Sequence, residues 1–228
     1  YSELEYKCSE NFKNYMSDTT VKHVIFLTGI VNNEKLSDHL ESRKRVEDNL
    51  AQGSYNFTAL RAGIIIGSGS ASFEIIRDLV EKLPVMIAPK WLNTRCQPIA
   101  IADVLQFLLR SLFKSFTYNQ NFDIGGKDIL TYKEMLLGFA DSRGLNRFIA
   151  TVPVMTPRLS SYWLYFVTST TYRLAQALVD SMKIEVVAKP NDLSEKLGIE
   201  TLSYKDSLKR TFKKIEQNEV ISSWKDSF

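Results

Sequence analysis

Apolar residues along this chain alternate between short unbroken runs and runs spaced three or four apart. That is the pattern of strands followed by amphipathic helices. Leu4, Cys8, Phe12 and Met16 recur every fourth residue and predict a first helix with that stripe buried, and Ser2-x-x-Glu5 resembles a capping box at its start. Residues 21–29 (VKHVIFLTG) read as a strand closed by Thr-Gly. Residues 37–51 then carry a helix through Leu40, Val46 and Leu50, stopped by Gly53. Residues 55–60 lead into a continuous apolar strand at 63–66, expected in the middle of a sheet covered on both faces. A loop of small residues at 67–72 follows, then a helix with Phe73, Ile76, Val80 and Leu83 on one face.

Further on, residues 84–88 predict a short strand, and 99–101 an extended segment before a helix that Asp103 would cap and that carries Val104, Phe107 and Leu108. Residues 122–126 (FDIGG) read as a strand and turn. Thr131-x-x-Glu134 is a second capping box, opening a helix with Met135, Phe139 and Leu145. Composition shifts near Val152: Pro153 and Pro157 precede a stretch rich in Ser, Thr and aromatics, then a helix at 174–182 and a strand-like 184–188. A last helix at 204–219 is capped by Ser203 and Asp206 and faces inward with Leu208, Phe212 and Ile215. The alternation implies an α/β fold with a mostly parallel sheet.

Composition narrows the function classes. With 228 residues, 44% hydrophobic and 24% charged, the chain has enough apolar surface to bury a core. A net charge of +3 with Lys and Arg interleaved among Asp and Glu gives no basic patch, so no nucleic-acid partner is expected. No run of eighteen apolar residues predicts a transmembrane segment. Cys8 and Cys96 have no ligand spacing and read as reduced thiols of a cytoplasmic protein. Two histidines without metal-ligand spacing predict no metal site, His23 reading as structural. The opening at Tyr1, one step from a helix, suggests a piece of a longer protein.

Three stretches bear on chemistry. Gly67-Ser68-Gly69-Ser70-Ala71-Ser72 lies between a strand and a helix, where a dinucleotide's pyrophosphate binds. No strand ending in Asp or Glu follows about twenty residues on, however, and a strand and two helices come first. A substrate-facing loop is therefore the other reading. A hydrolase triad is excluded because no histidine follows His39. His39 and Arg43 are four apart on one helix face, either as a proton-relaying pair or as part of a charged, solvated surface.

The order of these segments resembles the C-terminal two-thirds of an atypical short-chain dehydrogenase/reductase of the NmrA-like or nucleoside-diphosphate-sugar-epimerase-like kind. Residues 21–29 resemble that family's fourth strand, with Thr28 where its catalytic Ser or Thr strand ends. Leu60-Arg61-Ala62-Gly63 with Ile66-Gly67, residues 98–104 (PIAIADV), and FDIGG with Leu130-Thr131 resemble its later motifs. Residues 156–168 (TPRLSSYWLYFVT) resemble a tail segment of one bacterial subgroup. The family's Tyr-x-x-x-Lys pair falls on His39-x-x-x-Arg43, where Arg keeps the cation and His a titratable proton.

The resemblance implies an incomplete doubly wound, Rossmann-type parallel sheet with a C-terminal substrate-side α+β lobe. Residues 1–112 would be the C-terminal part of an NAD(P)-binding domain without its Gly-rich half, and 113–228 the substrate-side lobe. It implies an NAD(P)-dependent oxidoreductase or epimerase-like protein acting on a small carbonyl or related substrate. The alternative is a non-catalytic NAD(P)-binding sensor or assembly protein. Thr28, His39 and Arg43 would be catalytic, with Thr28, Gly29, Arg61, Ala62 and Gly63 at the cofactor. Gly67, Ser68, Gly69, Ser70, Arg158, Tyr162 and Trp163 would line the substrate, the last three being equally readable as a hydrophobic core under the lobe.

Overall fold

In the computed structural model, residues 2–31, 38–152 and 182–217 are described, the side chains of Asp38 and His39 excepted. Three parallel strands form the main sheet: β1 (His23–Gly29), β2 (Asn56–Ala62) and β7 (Gln120–Ile124), in the order β1-β2-β7. Their period-2 alternation sends side chains to two separate cores. Val24, Phe26, Phe57 and Ala59 pack beneath Met16 of α1 (Ser2–Ser17) and Val46 and Leu50 of α2 (Asp38–Leu50). Ile25, Leu27, Leu60 and Ala62 face the other way, against Val104 and Phe107 of α4 (Ile101–Ser111) and Leu193 and Leu197 of α6 (Leu193–Leu197). A parallel sheet covered on both faces is the doubly wound arrangement.

The apolar run at 63–66 is not the central strand. That place belongs to β2, seven residues earlier in start, and only Ile65–Ile66 forms a strand, β3, paired with β6 (Ile99–Ala100). The pairing with β1 stops at Ala62, and at Gly63 a Cβ would come within 2.9 Å of Val186 and 3.5 Å of the Gln97 carbonyl oxygen. Beyond β3 a third core holds α3 (Ala71–Lys82), α5 (Tyr132–Ser142) and α7 (Tyr204–Glu216). Phe73, Phe139 and Phe212 meet there with ring centroids 5.1 to 6.1 Å apart. Strand β4 (Val85–Pro89) pairs in parallel with β9 (Phe148–Val152), and β5 (Arg95–Cys96) antiparallel with β8 (Leu130–Thr131). The 184–188 segment contributes a single bridge, Cys96 to Val186. At Gly126 a Cβ would run into the Pro98 carbonyl oxygen, which the glycine's own N–H approaches to 3.1 Å.

The capping box at Thr131 and Glu134 is present, and the Ser203 hydroxyl accepts from the Asp206 N–H. Asp103 does not cap α4. It sits inside the first turn, and its carboxylate accepts the Leu202 N–H at 2.8 Å, tying α4 to the entry of α7. Nor does Glu5 complete a box with Ser2; it accepts a hydrogen bond from Ser42 across the α1–α2 contact. The first-helix stripe is not buried as its spacing suggests: Leu4 is 67% and Phe12 40% exposed. Both line an apolar groove with Val24 and Phe26, because β1 is paired on one side only among the described residues.

Two buried polar links hold the sheet to its surroundings. The Arg61 guanidinium donates through Nε and Nη2 to both carboxylate oxygens of Glu47 on α2, with side chains only 14% and 6% exposed. At the opposite end of the sheet, His23 Nδ1 accepts the Phe113 N–H at 3.1 Å. Its Nε2 therefore carries the proton, donated to Thr58 Oγ1 at 2.8 Å, and that hydroxyl donates to the Thr117 carbonyl at 2.7 Å. Phe113, held this way, has the left-handed φ of 58°. Protonating His23 would set a second N–H against the Phe113 N–H.

Burial lowers the His23 pKa below its ordinary 6.5. The unfolded chain then takes up the proton first, so stability rises with pH across this window. The contribution is complete above about pH 6.5 and lost as pH falls through the folded-state value. Urea midpoints measured from about pH 5 to 7.5 should show that dependence, and His23→Gln should flatten it. Glu47→Ala should cost about 3–5 kcal/mol by leaving a buried guanidinium unpaired. The double variant Glu47→Leu/Arg61→Met should recover much of that loss in the same denaturation assay.

Candidate functional site

Register brings the candidate strand ends together. Thr28 stands opposite Arg61 and Arg61 opposite Asp123; Gly29, Ala62 and Ile124 make the next row. This is the C-terminal edge of the parallel sheet, where ligands of open α/β folds bind. Thr28 is buried, and a Cβ at Gly29 would come within 3.1 Å of Leu40, so the chain passes close to the start of α2 there.

Arg61 lies in this row but is turned into the wall. The hydrogen bond it donates to Glu47, outweighing burial and aided by the charges of Glu47, Asp123 and Asp48, raises its pKa further above the ordinary value. It is a fixed cation held by α2, and only its backbone, with Ala62, stands at the edge. Asp123 is held in turn: its carboxylate accepts the Lys189 N–H at 3.1 Å, and its carbonyl accepts from Asn191 at 2.8 Å. At Gly63, the place a Cβ would take is filled by Val186, 2.9 Å away. The glycines of this edge thus serve close packing, against Leu40 at Gly29 and against Val186 at Gly63.

His39 lies in the first turn of α2 with its side chain outside the described set. Arg43, one turn on and so on the same face, is 3.7 Å from the Glu5 carboxylate and lines the β1 groove beside Val24 and Phe26. Arg158, Tyr162 and Trp163 lie outside the described residues.

The 67–70 loop stands on a different wall from the strand ends. Gly69, at φ 79°, donates its N–H to Glu74, and the Glu74 N–H donates to the Ser70 carbonyl. Ser70 is the N-cap of α3 without a side-chain cap bond. The chain's own Glu74 carboxylate thus answers one amide of this loop, that of Gly69. Gly67 and Ser68 instead line a cleft of about 540 Å³ with the start of α4 and one side of α7.

Cys96 is buried, and its thiol is pushed up to about 12, first by burial and then by the Glu134 charge; it is a packed group and not a nucleophile. Among the described residues, no three His, Cys, Asp or Glu side chains are placed to share a metal ion, and no helix is long and apolar enough to cross a membrane.

Sequence reasoning missed Glu47, Asp123 and Gln97. Gln97 bridges two segments, donating to the Gly126 carbonyl at 2.7 Å and accepting the Ala188 N–H at 3.0 Å. For Glu47 a signal existed: an arginine inside the apolar run LRAG demands a buried anionic partner.

No protein-family model matches the sequence, and no curated protein matches it. Solved structures do. The NADPH-dependent quinone oxidoreductase of Escherichia coli, solved with NADPH, is 17% identical at a TM-score of 0.70, over 90% of this chain and 70% of that one. The triphenylmethane reductase of a Citrobacter species is 15% identical at 0.71, over 93% and 72%. The UDP-glucuronic acid 4-epimerase of Bacillus cereus, solved with UDP-glucuronic acid and NAD, is 12% identical at 0.64, over 94% and 68%. The chain thus has the Rossmann-type α/β fold of these reductase and epimerase structures, the fold that its motif order resembles.

Proposed function

We propose that this chain is the nicotinamide-side portion of an NAD(P)-dependent oxidoreductase or epimerase-like enzyme acting on a small carbonyl or related compound. The observation that carries the reading is the row of strand ends, Thr28 opposite Arg61 opposite Asp123, at the C-terminal edge of a sheet shared with structures solved with NADPH or NAD. Gly29 and Ala62 stand in the adjoining row, where small residues let a ligand approach the backbone closely.

In this reading Thr28, Gly29, Arg61, Ala62 and Gly63 border the nicotinamide, the last three through their backbone. A nicotinamide supplies or accepts a hydride. The Thr28 hydroxyl would hold the substrate oxygen by a hydrogen bond. His39 would give or take the proton that balances the charge there. Arg43 would keep a positive potential over that region, steadied by Glu5. The strands that carry the cofactor's adenosine side would lie along the edge of β1 that is unpaired among the described residues, and residues 1–112 would be the C-terminal part of that cofactor domain.

A second reading has a specific observation behind it. Arg43 stands where the related family has an exchangeable lysine, and it is already paired with Glu5. That arrangement suits an NAD(P)-binding sensor or assembly protein without turnover.

Titration of NADPH and NADH into the full-length protein, followed by nicotinamide fluorescence, tests both readings, and no binding of either would reject both. Turnover of quinones or other carbonyl compounds separates them. For the enzyme, Thr28→Val should lower kcat by roughly 10²-fold. His39→Ala should lower turnover far more than it weakens cofactor binding, and equal losses would make His39 a structural residue.

A further inference from the structure

The cleft beside Gly67 and Ser68 has a character of its own. At about 540 Å³ it falls in the size range of small-molecule pockets, about 300–1,000 Å³. One wall is α4, where Ile101 and Leu105, one turn apart, are 41% and 51% exposed. Burying two such aliphatic side chains would be favourable for any ligand with an apolar body. The facing wall is α7, where Arg210 and Lys214, also one turn apart, stand on one face.

Two further features set the charge preference. Arg210 has no hydrogen bond or ion pair among the described residues, and it acts on Asp103 only at a distance. Asp103 is itself buried beside the cleft and committed to the Leu202 N–H. The start of α4, which opens on the cleft through Ile101 and Ala102, is capped by Ala100, whose side chain has nothing to offer the first-turn amides. The start of α5 differs, since the Thr131–Glu134 box already engages its amides. The cleft thus combines two side-chain cations and a positive helix end above an aliphatic wall.

We propose that this cleft binds a small amphiphilic acid, its carboxylate or phosphate held by Arg210, Lys214 and the start of α4, and its apolar body lying over Ile101 and Leu105. The proposal is independent of the nicotinamide reading, because none of these residues belongs to the strand-end row. It also gives the 67–70 loop a role different from a pyrophosphate cradle: Gly67 and Ser68 form the rim of an acid-binding cleft.

Calorimetric titration of the full chain with octyl phosphate, octanoate, inorganic phosphate and octyl glucoside tests it. One or both of the octyl acids should bind saturably at one site, and comparison of the two identifies the head group preferred. Arg210→Ala should weaken that binding about 10- to 100-fold, the loss of a charge-assisted contact, whereas Arg210→Lys should retain most of it. Octyl glucoside and inorganic phosphate should each bind at least tenfold more weakly than the better acid. Arg210 is exposed, so thermal melting of the variants should match the parent, and NADPH affinity should be unchanged by Arg210→Ala. Absence of saturable binding by both octyl acids would overturn the proposal. So would equal affinity in Arg210→Ala, or binding of octyl glucoside or inorganic phosphate as tight as that of the acid. Failure of NADPH to bind would reject the cofactor reading and leave this result standing.

Discussion

The arrangement depends on β2 being hydrogen-bonded on both edges and packed on both faces. Its Thr58–Ala62 stretch pairs with β1 on one side and β7 on the other. Phe57 and Ala59 enter one core while Leu60 and Ala62 enter the other. A strand so enclosed has no freedom to slip register, since a shift of one residue would exchange the contents of the two cores. Fixed register is what sets Thr28, Arg61 and Asp123 in a row. The Arg61–Glu47 pair extends that constraint outward by locking α2 to the end of the sheet. The helix bearing His39 and Arg43 is therefore positioned by a buried ion pair, whose value here lies in orientation as much as in stability.

The same strand shows how much of the fold was legible. Alternation, capping signals and chain punctuation located most described elements within a few residues, because those signals are local. Thr131-x-x-Glu134 and Ser203 with Asp206 act as read. The errors arose where a residue's role depends on a distant segment. The run at 63–66 looks like a central strand, yet the pairing with β1 stops at Ala62, and Gly63 packs against Val186 and Gln97 from elsewhere in the chain. Asp103 looks like a cap, but the Leu202 amide, ninety-nine residues away, claims its carboxylate. Leu4 and Phe12 have the spacing of a buried stripe, and periodicity says nothing of whether a neighbour covers it.

The candidate site was legible in part for the same reason. Motif order led to Thr28, Gly29 and the Leu60–Gly63 stretch, and strand register sets Thr28 and Gly29 beside Arg61 and Ala62. The direction in which Arg61 points was hidden, because Glu47 approaches from a helix fourteen residues earlier in sequence and only the folded chain shows it turned inward. The 67–70 loop teaches a complementary lesson. Small residues before a helix advertise open amides, but a glutamate in the next turn can answer one of them from within the chain, as Glu74 does for Gly69. The cations on α7 escaped notice because they face Gly67 and Ser68 across some 140 residues of sequence, a separation that about 540 Å³ of cleft erases.

One side of β1 is unpaired among the described residues. Proteins that leave a sheet edge in water guard it with lysine, proline or a bulge, since an open edge is a template for promiscuous association. From His23 to Gly29 this strand has none of these guards, only HVIFLTG beside an apolar groove. Wherever that edge met water it would offer a row of backbone donors and acceptors flanked by apolar side chains, so the solubility of this part of the chain turns on a single strand.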